Sequence, residues 1–253
     1  MRKFDLILLA GGSGPLVRGT GYPSKALIPI HGKPMLAWVI DAYRQCDCIG
    51  NIVVAGPKVL DRLPAMRHVR RRVPAGHSLL QSFLHAALYT KFRLQRGDHN
   101  GYLVSCCDAV FLTPDVIEAA VDNIRTTTPD VALHYVERST YARAGLDVAR
   151  TFIPVGDGEY TGTTIYYVRR LRRVLGAMRA VQKARKHRKQ PFKLLSLLGE
   201  EPYSPSDVER ILSARLSAKV GVFVLDRPEA GMDVDTLADL ELARRWLKPP
   251  GDE

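Results

Sequence analysis

Hydrophobic and polar positions alternate in blocks along this chain. Phe4-Asp5-Leu6-Ile7-Leu8-Leu9-Ala10 is a short apolar run closed by glycines, the pattern of a buried strand. A glycine- and proline-rich loop follows, from Gly11 to Pro23. Beyond Pro34, the positions Met35, Leu36, Trp38, Val39, Ile40 and Tyr43 keep helical spacing. Asn51 to Ala55 predicts a second strand, ended by Gly56-Pro57. His77 to Lys91 predicts a helix with Leu80, Phe83, Leu84 and Leu88 on one face. Gly101 to Cys107 predicts a strand that runs into Asp108. Thr113-Pro114-Asp115 then opens a helix, with Thr as N-cap and Pro at the first helical position. Val131 to Val136, Thr163 to Val168 and Val220 to Leu225 predict further strands, and Asp235 to Leu247 a closing helix.

Strands alternating with helices at this spacing predict a three-layer α/β/α fold around a mainly parallel sheet. The stretch from about 139 to 215 is less regular. It predicts a helical, basic insert at about 169–216, with short helices near 192–198 and 206–216. The pattern as a whole reads as one domain over 1–247, with 248–253 as a flexible tail. An apolar fraction of 46% and a charged fraction of 25% belong to an ordinary globular chain. No apolar run is long enough for a membrane span. The N-terminal run carries Asp5 and lacks a cleavage site, so it reads as a strand rather than a signal peptide.

Charge and cysteine narrow the picture further. The net charge is +11, and the window from Arg169 to Gly199 holds eleven Lys/Arg and no Asp or Glu, equal to the whole excess. The remainder of the chain sums to zero. A solvated helix face is the default for such a window, and a flap that draws in an anionic acceptor is the next reading. Aromatic interleaving is poor apart from Phe192, which makes nucleic acid an unfavoured partner and an anionic membrane surface equally so. Cys46/Cys48 and Cys106/Cys107 have neither zinc-site nor disulfide spacing, so they read as reduced thiols of a cytoplasmic protein.

The glycine-rich loop after the first strand suits phosphate, because backbone N–H groups converge where no Cβ intrudes. Two common phosphate loops do not fit. In Gly12-Ser13-Gly14-Pro15-Leu16-Val17, Val takes the place of the third glycine of a dinucleotide fingerprint, no helix is predicted to follow promptly, and Ala55-Gly56 stands where an acidic residue belongs. Gly32-Lys33 is followed by Pro34 and lacks the upstream glycine of a P-loop. What remains is an ordered set: Leu9-Ala10-Gly11-Gly12-Ser13-Gly14, then Pro23-Ser24-Lys25-Ala26-Leu27-Ile28-Pro29-Ile30, then Gly32-Lys33-Pro34-Met35-Leu36. This set resembles the N-terminus of the MobA-like nucleotidyltransferases, which include molybdenum-cofactor guanylyltransferase and the sugar-phosphate and methylerythritol-phosphate nucleotidyltransferases.

The resemblance implies a nucleotide-diphospho-sugar transferase-like fold and Mg2+-dependent transfer of NMP from an NTP, GTP or CTP favoured, to a small, phosphorylated acceptor. It also implies roles. Ala10, Gly11, Gly12, Ser13, Gly14 and Lys25 would hold the phosphates, with Gly76 and Ser82 at the base. Asp108 and Asp233 would hold the metal, while Gly162, Thr163 and Arg150, upstream of the Gly162 loop, would meet the acceptor. Asp235 competes with Asp233 but reads as the N-cap of the closing helix, and Ser82 has plain helix surface as its rival reading. The family carries Arg or Lys one or two positions after the last loop glycine to clamp pyrophosphate. This chain has Pro15 and Leu16 there, and Arg18 is the nearest replacement.

The chemistry matches these residue types. In-line attack at the α-phosphorus asks the protein to position reactants and neutralise charge. Hard Mg2+ takes carboxylate oxygens, and an anionic acceptor needs no general base, which suits a sequence without an evident His or Ser dyad. Two other readings stay open at this point. One is a catalytically silent nucleotide-sensing module that has lost its clamp at Pro15 and Leu16. The other is a nucleotide-sugar glycosyltransferase, although Cys107-Asp108-Ala109-Val110 lacks the Asp-x-Asp of those enzymes and would leave Lys25 unexplained.

Overall fold

The computed structural model describes residues 3–12, 14–94, 100–169, 171 and 204–249. The basic insert predicted at about 169–216 lies outside them except for Arg169, Leu171 and the stretch from 204, as do the short helix near 192–198 and most of the 248–253 tail. Two compact units emerge. Met1–Glu118 together with Met232–Glu253 forms the first, and Ala119–Gly231 the second.

The first unit is built on four parallel strands in the order β6-β1-β4-β5. These are β1 (Phe4–Leu9), β4 (Ile49–Ala55), β5 (Arg71–Val73) and β6 (Tyr102–Cys106). Every residue of β1 is buried, so both faces of the sheet are covered, as the unbroken apolar run requires. The one polar member, Asp5, accepts hydrogen bonds from the backbone and side-chain amides of Asn51, at 3.2 and 2.9 Å. Helix α2 (Met35–Arg44) buries Met35, Leu36, Val39, Ile40 and Tyr43 of the predicted stripe, while Trp38 is half-buried. Helix α3 (Leu79–Tyr89) packs on β1 and β4 and starts at Ser78, whose hydroxyl accepts from the Gln81 amide.

Two local features were not legible in the hydrophobic pattern. A short helix, α1 (Pro15–Thr20), does follow the glycine loop at once, contrary to the expectation that none would. Pro15 has the φ a first helical residue needs, and Gly21 ends the helix in the left-handed region (φ 71°). The Gly32-Lys33-Pro34 motif completes the turn and forms the second strand of a two-stranded hairpin, β2 (Pro29–Ile30) with β3 (Lys33–Pro34). Its central residues His31 and Gly32 both have positive φ, 49° and 74°, as a tight hairpin turn demands.

In the second unit, β10 (Val220–Val224) runs parallel to β7 (Val131–Glu137). β7 is antiparallel to β9 (Gly158–Val168), and β9 is antiparallel to β8 (Ile153–Val155). Helix α4 (Pro114–Thr127) leads in, with the Thr113 hydroxyl accepting from the Val116 amide at 3.4 Å. A short helix, α5 (Arg138–Arg143), follows β7. Helix α6 (Pro205–Leu216) packs on β10, and Glu209 accepts the Val222 backbone N–H at 2.9 Å. The chain then returns to the first unit, ending in α7 (Leu237–Trp246).

His134 is buried within the second unit, its ring centroid 5.4 Å from that of Phe223 and its Nδ1 3.3 Å from the Ile165 carbonyl oxygen. Burial pushes its pKa down to about 4. The unfolded chain takes up this proton near the ordinary histidine value of ~6.5. Stability is therefore held in full above that value and lost as pH falls through the folded one. His134→Gln, which cannot titrate, should gain on wild type by roughly 3 kcal/mol in unfolding free energy from about pH 7 to about pH 4. Denaturant titrations at the two pH values measure this, and an unchanged gap contradicts it.

Candidate active site

β1 is flanked by β4, which the chain reaches directly through α2, and by β6, which it reaches only after β4 and β5. The connections therefore leave β1 in opposite directions, and the carboxyl ends of β1 and β6 flank the crevice where open α/β sheets bind ligands. Leu9 and Cys106 are register partners there. Beyond them lie the glycine loop on one side and Asp108 on the other. The Val234 N–H donates to the Asp108 carbonyl at 3.1 Å, which brings the 232–235 segment to the same place.

The loop itself is tightly fitted at one residue. An added Cβ on Gly11 would stand 2.5 Å from the Ala75 Cβ, so only glycine allows the loop to lie against the 74–78 segment. Gly12 is exposed with open space around it, Gly14 precedes α1 as its N-cap, and Ala10 is buried. Ser13 lies outside the described residues. At the clamp position Leu16 is buried, while Arg18 is exposed on the last turn of α1.

Lys25 begins a single turn of 3-10 helix, Lys25–Leu27, whose backbone leads to the hairpin. Met35 N–H donates to the Ile28 carbonyl at 3.0 Å, and the Trp38 indole donates to the Ile30 carbonyl at 3.2 Å. The Gly-Lys-Pro-Met-Leu motif thus braces the turn that carries Lys25, while Lys33 itself pairs with Asp41 at 2.7 Å. The Lys25 side chain is only 8% exposed, and its ammonium donates to Asp108 Oδ2 and to Asp235 Oδ1, both at 2.6 Å. Burial alone would lower its pKa. The two carboxylates outweigh burial and hold it above the ordinary lysine value, so the ammonium stays charged.

Asp108, Asp233 and Asp235 each place a carboxylate oxygen within 4.8 Å of the others. Three carboxylates against one ammonium leave two negative charges to balance. Asp108 Oδ1 is buried and has no hydrogen-bond partner among the described residues. An all-oxygen donor set with this residual charge fits a hard divalent cation such as Mg2+. Asp235 is not the N-cap of the closing helix. Thr236 is, because its hydroxyl accepts from the Asp239 amide while Asp239 Oδ2 accepts from the Thr236 amide, a capping box. That releases Asp235 toward Lys25.

Gly76 and Ser82 are brought together. The Gly76 N–H donates to Ser82 Oγ at 3.0 Å, and that hydroxyl donates to the Ser78 carbonyl at 3.0 Å. Ser82 is buried, so it is a latch for the loop rather than plain helix surface. Gln81, which the sequence did not single out, underlies Gly76 and accepts the His77 N–H at 2.8 Å. The acceptor candidates belong to the second unit. Gly162 lies within β9 rather than in a loop, opposite Tyr135. Thr163 is buried at an irregularity of that strand, its hydroxyl bonded to the Ile165 backbone, so Gly162 alone of the two is exposed. Arg150 is half-buried in the segment before β8.

Residues 6–200 match the model of the MobA-like NTP transferase domain. Among solved structures, a hypothetical transferase from Thermus thermophilus is similar over 94% of this chain and 99% of its own, with 24% identity and a TM-score of 0.76. A CMP:2-keto-3-deoxy-manno-octonic acid synthetase complexed with CTP is similar over 96% and 97%, with 18% identity and a TM-score of 0.58. A 2-C-methyl-D-erythritol 4-phosphate cytidylyltransferase from Thermus thermophilus covers 96% and 98%, with 14% identity and a TM-score of 0.55. At these identities the likeness establishes the shared mainly parallel α/β fold. No curated protein sequence matches the chain.

Removing the ammonium leaves Asp108 and Asp235 facing each other. Lys25→Met should cost roughly 3 kcal/mol, the low end for breaking a buried pair because Asp235 is half exposed. That corresponds to a fall in Tm of about 6–12 °C. Added Mg2+ should raise the Tm of this variant more than that of wild type, since no ammonium competes for the carboxylates. Equal Mg2+ effects in a thermal melt would contradict the cluster as a cation site.

Proposed function

The chain belongs to the MobA-like NTP transferase family and is a nucleotidyltransferase, and from that premise we propose that it moves NMP from GTP or CTP to a small phosphorylated acceptor in a Mg2+-dependent reaction. An oxygen of the acceptor phosphate attacks the α-phosphorus. The new P–O bond forms as the α–β bridge breaks, and the electron pair leaves on pyrophosphate. The acceptor oxygen is already anionic, so no protein base is needed.

The observation that carries this reading is the buried, charged Lys25 at the carboxyl ends of β1 and β6, held by the aspartates that fit a cation. Its ammonium is the group that neutralises charge on the α-phosphate. The amides of the 11–14 loop face the β- and γ-phosphates, and Arg18 takes the pyrophosphate, since the buried Leu16 leaves no cation at the usual place. Bound by Asp108, Asp233 and Asp235, Mg2+ would supply charge neutralisation for the triphosphate. The Gly76–Ser82 latch holds the base loop. Gly162, Thr163 and Arg150 of the second unit remain the proposed acceptor contacts, Thr163 through its backbone. CTP is supported as donor by the cytidylyl chemistry in the names of similar structures, and GTP by the guanylyltransferase resemblance.

A thermal-shift panel of ATP, GTP, CTP and UTP, with and without Mg2+, tests the donor. A ligand at about 100 times its Kd adds roughly 2.7 kcal/mol, or about 5–10 °C in Tm. The expected result is a Mg2+-dependent shift with GTP or CTP that disappears in Asp108→Asn. Absence of a shift with every triphosphate would sink the proposal.

A further inference from the structure

The zero charge sum outside the Arg169–Gly199 window hides a second basic stretch. From Arg62 to Gly97 there are eight Lys/Arg and no Asp or Glu. In the first unit this stretch includes β5, α3 and the π-helical turn Thr90–Leu94. The inner face of α3 buries Phe83, Ala86, Ala87 and Thr90. On the outward side Phe92 is 73% exposed and Leu88, four positions earlier, 42% exposed. Lys91 and Arg93 flank Phe92 and are exposed, as is Arg71. The Arg71 guanidinium lies 5.9 Å from the Tyr89 ring, which joins the start of β5 to the end of α3 in one surface.

We propose that Leu88 and Phe92, rimmed by Arg71, Lys91 and Arg93, form a docking face for an anionic membrane surface. The apolar pair enters the headgroup boundary, and the three cations meet lipid phosphates. A second copy of the chain fits poorly, because it would bring two basic rims together. Single-stranded nucleic acid fits less well than lipid, because Phe92 is the one well-exposed ring here, while Tyr89 is half-buried and already faces the Arg71 guanidinium. No helix among the described residues is long and apolar enough to cross a membrane. The face shares no residue with the acidic cluster and stands independently of the proposed reaction.

Flotation of the full chain with phosphatidylcholine vesicles, with and without phosphatidylglycerol, tests the proposal. Binding is expected only with the anionic lipid and should weaken as salt rises. Lys91→Gln combined with Arg93→Gln should lower the partition coefficient roughly 25-fold, about five-fold per charge. Phe92→Ala should lower it further, and Asp108→Asn should leave it unchanged. Because all the altered surface side chains are exposed, thermal melts of these variants should match wild type. Equal flotation with neutral and anionic vesicles overturns the proposal. So does flotation unchanged in both surface variants, which would assign the binding to the 169–199 window. Loss of single-stranded RNA binding in the same variants, with no vesicle binding by wild type, also overturns it and makes nucleic acid the occupant.

Discussion

A lysine held in low dielectric between carboxylates organises the first unit. Lys25 can be buried only because Asp108 and Asp235 accept its charge, and those aspartates can approach each other only because the ammonium stands between them. Much nearby construction serves that arrangement. The left-handed turn at His31 and Gly32 braces the Lys25 turn, the Val234–Asp108 backbone bond draws in the C-terminal segment, and the Thr236 capping box keeps Asp235 out of the helix. The site therefore joins three distant stretches of chain through charge rather than through one contiguous motif.

The same arrangement explains how a cation and a lysine can share a site. The cluster retains two negative charges after Lys25 is counted, and one buried oxygen of Asp108 remains without a protein donor among the described residues. In the proposed reaction a bound triphosphate would offer Lys25 new anionic oxygens. Moving the ammonium to phosphate would release carboxylate oxygens for metal, and donor and cation would then support each other's binding through one side chain.

What the sequence disclosed and what it concealed have physical reasons. The β1 run, the glycine loop, the α2 stripe and the Thr113 cap are local signals, and local patterning decides them. Asp235 was misread because Asp and Thr are both good caps; the choice of Thr236 is made by Asp239, whose carboxylate returns to the Thr236 amide. Gly162 suggested a loop because glycine weakens strands, yet its Tyr and Thr neighbours keep β9 continuous there, with only a register irregularity just after it. The Gln81 support under Gly76 did leave a signal, the Ser78-x-x-Gln81 spacing of a capping box, but its side chain reaches one residue further back, to the His77 amide, which the spacing does not disclose. The basic stretch from Arg62 to Gly97 was hidden by summation, being cancelled on paper by acids that lie elsewhere in the chain.

The most direct measurement is a structure of the protein with Mg2+ and a non-hydrolysable analogue of whichever triphosphate binds. The expected result is the triphosphate on the 11–14 loop, the cation on Asp108 with Asp233 or Asp235, and the Lys25 ammonium within hydrogen-bond distance of the α-phosphate. Lys25 still bridging Asp108 and Asp235, with the nucleotide bound elsewhere, would contradict it.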